Sequence, residues 1–118
     1  MGVSMRAATR KVEGVNVVDL SGRITIGEGT VMLRDTVKTL QQKNEKYILL
    51  NLAEVSYIDS SGIGELVSSF TTFGSQGGKL KLLSLTKKVH DLLSITKLLT
   101  VFEVFDDEAK AIQSFGKG

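Results

Sequence analysis

The run YILLNLA, Tyr47 to Ala53, is almost wholly apolar and is flanked by Glu45 and Lys46 on one side and Glu54 on the other. It is far shorter than the roughly 20 residues a membrane-spanning helix needs. An apolar stretch of this length, without strict alternation, marks a central strand covered by helices on both faces or on one. Such a strand cannot stand alone, so the segments around it must supply neighbouring strands and covering helices.

They do so in a regular order. ATRKVEGVNVVDLSG reads as two strands around a Glu13-Gly14 turn, with Val15, Val17, Val18 and Leu20 carrying the second, and this predicts a β-hairpin. Leu33, Val37 and Leu40 recur at i, i+4, i+7 and predict a helix over Thr30 to Gln42. Ile63, Leu66, Val67 and Phe70 place a second helix from the serines at 60 and 61 towards Gly74, where GSQGG ends it. KLKLLSL is then a strand, TKKVHDLL a short helix, VFEVF a strand and DDEAKAIQSFG a last helix, capped by Asp106 and stopped by Gly116. The expected fold class is α/β: an N-terminal β-hairpin, then alternating helices and strands in a mostly parallel mixed sheet. At 118 residues with 42% hydrophobic side chains, the chain suffices for one domain, residues 1–118, and not for two.

The junction between the central strand and its helix, YIDSSGIGELV from Tyr57 to Val67, concentrates an acid, two hydroxyls and two glycines. Ser60 or Ser61 can cap the helix, with Gly62 easing the turn. A catalytic serine is a second possibility, but it requires a base, and the only histidine is His90 on the third predicted helix, with no G-x-S-x-G elbow anywhere. GSQGGK misses the spacing of a phosphate loop and leads into a strand. The third possibility is a phosphorylated serine, whose charge a helix N-terminus accepts and to which Asp59 and Glu65 would add like charge.

Charge and composition exclude other classes. Fifteen lysines and arginines against thirteen acids give a net charge of +2, spread along the chain, so no nucleic acid partner is expected. The absence of cysteine removes disulfides and thiolate chemistry, and a single histidine argues against zinc; no metal or other cofactor is expected. The start, MGVSMRAATR, lacks a signal-peptide core and has Arg6 where a myristoylation motif wants serine or threonine. A cytoplasmic protein without membrane insertion is the expectation.

YIDSSGIGELV, followed by GGKLKLLSLTKKVHDLLSITKLLTVFEVFDDEAKAI, resembles the STAS domain of bacterial anti-sigma-factor antagonists, and the resemblance runs from LSGRI to the last helix. It implies that Ser60, directly after Asp59 in the motif D-S-[ST]-G-[LI]-G and followed by Ser61 and Gly62, is the phosphoacceptor. It further implies a binding module rather than an enzyme. The unphosphorylated form would bind an anti-sigma factor that is also a serine kinase and free the sigma factor. Phosphorylation would release it, and a serine phosphatase would restore it. The alternative within the family is a scaffold or accessory subunit of a stress-sensing assembly or of a lipid or anion transporter. The partner surface is expected at the Ser60 end of the second helix and the loop RITIGEG, with Arg23, Ile24 and Ile26 as a mixed polar and apolar patch. Two features depart from the family: Asn51 stands where many relatives have aspartate, and Gly27 and Gly29 loosen the approach to the first helix.

Ser60 should be the sole efficient acceptor for the cognate kinase, and Ser60→Ala should fold normally because Ser61 can still cap. Phosphopeptide mapping checks the first point; phosphate found chiefly on Ser61 refutes it.

Overall fold

The computed structural model describes residues 5–116, so the readings that rest on residues 1–4 lie outside the described residues. The elements follow in the order β1 (Met5–Val12), β2 (Val15–Ile24), α1 (Glu28–Gln42), β3 (Tyr47–Ile58), α2 (Ser60–Ser75), β4 (Lys79–Leu83), α3 (Lys87–Ile95), β5 (Val104–Phe105) and α4 (Glu108–Ser114). The strands form one sheet in the order β1-β2-β3-β4-β5. β1 is antiparallel to β2, and each later neighbour pair is parallel. This is the mixed sheet expected from the sequence. Its hairpin turns where expected, through positive φ at both Glu13 and Gly14, which matches the twist of the flanking strands.

Two cores divide the sheet. Val18, Leu20, Ile24, Ile48, Leu50 and Leu52 face Leu33, Leu66, Phe73, Val89 and Leu93 from α1, α2 and α3. On the other side Val15, Val17, Leu49 and Leu83 meet Ala111, Ile112 and Phe115 around α4. Leu49 and Leu50 therefore point to opposite, equally dry cores, which is why YILLNLA shows no alternation. Arg10 fastens α4 to the hairpin, bridging Asp19 (2.7 Å) and Glu108 (2.7 Å). Asn51 donates to Asp19 at 2.8 Å and accepts from the Ala53 N–H. An aspartate in place of Asn51 would set two carboxylates against each other.

Several boundaries differ from the periodicity reading. β3 runs on to Ile58, since its register against β2 slips by one residue twice, between Asp19 and Ser21 and between Gly22 and Arg23. Each slip changes which side chains point inward, so the buried positions pass from Ile48, Leu50 and Leu52 to Val55 and then Ile58. α1 starts at Glu28, two residues before Thr30. Only Val104 and Phe105 of VFEVF pair as a strand. The last helix is capped by Asp107, whose carboxylate accepts from the Lys110 N–H, and not by Asp106.

Gly29 is not a source of looseness. A Cβ there would lie 2.7 Å from the Arg23 carbonyl oxygen, and a Cβ at Gly62 would lie 2.1 Å from the Ile24 carbonyl oxygen and 2.6 Å from Ile58 Cγ1. The first turns of α1 and α2 are thus both pressed onto the backbone at the end of β2. By contrast, a Cβ at Gly64 would meet nothing within 4 Å. Gly62→Ala should therefore destabilise the fold by about 2 kcal/mol or more through overpacking against backbone that cannot move aside. Gly64→Ala should stabilise it by about 0.5–1 kcal/mol by removing backbone entropy from the unfolded chain. Chemical denaturation of both variants distinguishes the two glycines.

Candidate functional site

The carboxyl ends of β2 and β3 and the N-terminus of α2 meet at Asp59. This residue has the extended backbone of a helix N-cap, and its Oδ1 accepts from the Gly62 N–H at 2.8 Å. Oδ2 accepts from the Ile26 N–H at 3.1 Å, and the Asp59 N–H donates to the Ile24 carbonyl at 3.3 Å. One side chain therefore caps α2 and holds the loop before α1. The Gly62 N–H, followed by that of Ile26, keeps the Asp59 carboxyl below its ordinary value.

The cap is thus Asp59, and neither Ser60 nor Ser61 has that duty. Ser60 is exposed in the first turn of α2, Ser61 is half-buried, and neither hydroxyl has a hydrogen-bond partner among the described residues. Ser60→Ala should still fold, but because Asp59 caps and not because Ser61 does. Gly62 is buried and serves close packing. Glu65 does not add charge to this surface. It is only 8% exposed and is held by Arg34 of α1 at 2.9 Å and by Ser69.

Around this edge Ile26 is 75% exposed and Val31 of α1 is also exposed. Ile24 is fully buried, so its side chain cannot contribute to a contact surface; what it offers the junction is its carbonyl. Arg23 is exposed, with its guanidinium carbon 5.3 Å from the centroid of the Tyr57 ring. Lys88, in the first turn of α3, brings its ammonium 5.4 Å from the same centroid. Tyr57 and Lys88 escaped the motif reading, since they meet Arg23 only after the second register slip sets Arg23 opposite Tyr57. The available signal was Lys88 itself, a cation at the positive end of a helix. His90 lies on the exposed side of α3, 3.5 Å from Asp91, and no hydrogen bond joins it to either serine.

The STAS-domain family model matches residues 6–111. The chain belongs to the STAS-domain family. This STAS domain is 32% identical over 87 residues to the anti-sigma-B factor antagonist of Bacillus subtilis, covering 74% of the chain and 78% of that protein. To the anti-sigma F factor antagonist of Paenibacillus polymyxa it is 25% identical over 84% of its own length and 85% of the relative's. Its fold matches that of the anti-sigma factor antagonist SpoIIAA in its unphosphorylated form with a TM-score of 0.78 at 20% identity, covering 93% of this chain and 96% of that one. The Bacillus SpoIIAA in its phosphorylated form has the same fold, with a TM-score of 0.72 at 18% identity and coverage of 94% and 100%. No helix among the described residues is long and apolar enough to cross a membrane, and none of their acidic and histidine side chains group in a way that could hold a metal ion.

In this STAS domain the motif aspartate is a structural hub, which sets an expected pH dependence. Because the Asp59 carboxyl titrates lower folded than unfolded, its stabilisation is complete above the ordinary value of 3.8 and is lost as pH falls through the lower folded value. Asp59→Ala should lower the denaturation midpoint at pH 7 and lose part of the acid-induced destabilisation below about pH 4, flattening the stability profile there. Asp59→Asn should keep more of the cap than alanine does. Urea titrations across that range check both variants.

Proposed function

We propose that this STAS domain is an anti-sigma factor antagonist whose binding is switched by phosphorylation of Ser60. In this reading the unphosphorylated form docks onto an anti-sigma factor that is also a serine kinase, and so frees the sigma factor. The kinase modifies Ser60 and ends the contact, and a serine phosphatase reverses the change. The domain is a substrate and a binding module, not an enzyme: its one histidine makes no hydrogen bond to either serine.

The observation that carries this reading is the division of labour at the junction. Asp59 takes the cap, leaving the Ser60 hydroxyl exposed and without a partner among the described residues, at the amino end of a helix. A phosphate there meets the positive end of the helix dipole, an interaction of about 0.3–1 kcal/mol that is too small to reorganise a packed core. Asp59 already places a negative charge beside it. A partner seated over Ser60 would then have to bury charge it does not match.

Losing one buried polar match at an interface costs about 2–5 kcal/mol, a weakening of roughly 30-fold to several thousand-fold. Calorimetric titration of the cognate anti-sigma factor should show a loss of that size for the phosphorylated form, with amide chemical shifts in β4 unchanged. Ser60→Asp should reproduce only part of it, since it carries about half the charge of phosphoserine. Equal affinity of both forms, or shifts spreading through β4, would refute the mechanism.

A further inference from the structure

Arg23 and Lys88 are exposed cations, and Lys88 is placed at some cost. Neither has a carboxylate within ion-pair distance among the described residues, and neither side chain donates a hydrogen bond there. Lys88 sits in the first turn of α3, where the helix dipole disfavours a cation and where no acidic residue offsets it. Its neighbour Lys87 occupies the same unfavourable turn but is paired with Asp91 at 2.8 Å. Lys88 leans instead over Tyr57, the ring that Arg23 also approaches. A contact with the face of a ring uses none of the N–H donors of either cation, so the donors of both remain available to a ligand. A residue that contradicts the local electrostatic preference and has no carboxylate partner inside the chain marks a candidate functional surface.

We propose that Arg23 and Lys88, gathered on Tyr57, form a docking site for an acidic segment of a protein partner. The site rests on the antagonist reading above, because it continues the same edge: Tyr57 lies two residues before Asp59 on β3, and Arg23 precedes Ile24, whose carbonyl accepts from Asp59. Charge complementarity selects the occupant. Two cations on separate, exposed side chains suit two or more carboxylates spaced along a peptide. A nucleic acid would need a longer basic stripe, whereas here the Asp59 carboxylate stands on the same edge and the chain is nearly balanced in charge. An acidic segment at Arg23 and Lys88 also sharpens the switch, since a phosphate on Ser60 would repel it from the same edge.

The test uses two arms. In the first, the isotope-labelled protein is titrated with hexaglutamate, with inorganic phosphate and a single-stranded oligonucleotide as comparisons. Hexaglutamate should shift the Arg23 side-chain, Tyr57 and Lys88 resonances, and Arg23→Gln with Lys88→Gln should weaken that binding about tenfold. Shifts unchanged in the double variant, or tighter binding of phosphate or oligonucleotide at these resonances, overturn the proposal. In the second arm, association with the cognate anti-sigma factor is followed at low and high salt. The double variant should associate about tenfold more slowly at low salt, with the difference fading as salt rises, while phosphorylation of Ser60 still abolishes binding. Unchanged association with an intact Ser60 switch overturns the acidic-segment site and leaves the antagonist reading standing. Failure of the unmodified wild type to bind the anti-sigma factor, with the hexaglutamate arm positive, overturns the antagonist reading and leaves the site.

Discussion

The Asp59 carboxylate is the interaction on which the arrangement of the site depends. One oxygen holds the Gly62 N–H and the other holds the Ile26 N–H, so a single side chain joins the start of α2 to the loop that precedes α1. That junction closes only because the two helices can approach the end of β2, and they can because Gly29 and Gly62 carry no side chain. Ile24 sits between them, with its side chain in the core and its carbonyl taken by the Asp59 N–H. Ser60 is presented outward beside this junction, while the two oxygens of the neighbouring Asp59 carboxylate are engaged with the Gly62 and Ile26 N–H groups.

Rigidity behind the site comes from pairs that link distant parts of the chain. Arg34 and Glu65 tie α1 to α2 next to the serines, and burial of the Glu65 carboxylate makes its pairing necessary. On the far side of the sheet, Asp19 accepts from both Arg10 and Asn51, and Arg10 reaches on to Glu108 of α4. Hydrogen bonding to Arg10 is the main reason the Asp19 carboxyl sits below its usual range. Lys81 is drawn under the sheet in the same way: its ammonium donates to the Ser114 carbonyl and hydroxyl and lies over the Phe115 ring, fixing the end of α4. These contacts brace both layers. A charge added at Ser60 therefore meets a scaffold held from both faces of the sheet.

Much of the fold was legible in the sequence because its signals are local. Leu33, Val37 and Leu40 repeat at a helical period and were found on the buried face of α1; Glu13-Gly14 turned the hairpin; YILLNLA became the strand buried between two cores. The junction was legible in part. Its position at the end of the central strand followed from the change of period, but its cap did not, because serine and aspartate are equally good caps and only the backbone geometry chose Asp59. The same ambiguity between adjacent acids misplaced the cap of α4 by one residue.

What the sequence determined by itself is the set of elements, their order and the junction motif that joins β3 to α2. These rest on spacings within one turn or one strand, which any reader of the chain can count. Tertiary structure alone decided three things. Ile24 went inward while Ile26 stayed outward, Glu65 was withdrawn from the surface by Arg34, and Arg23, Tyr57 and Lys88 came together. All three depend on pairings between residues far apart in the chain. The clearest is the double slip of β3 against β2, which turns alternate side chains to the other face and has no counterpart in any local period.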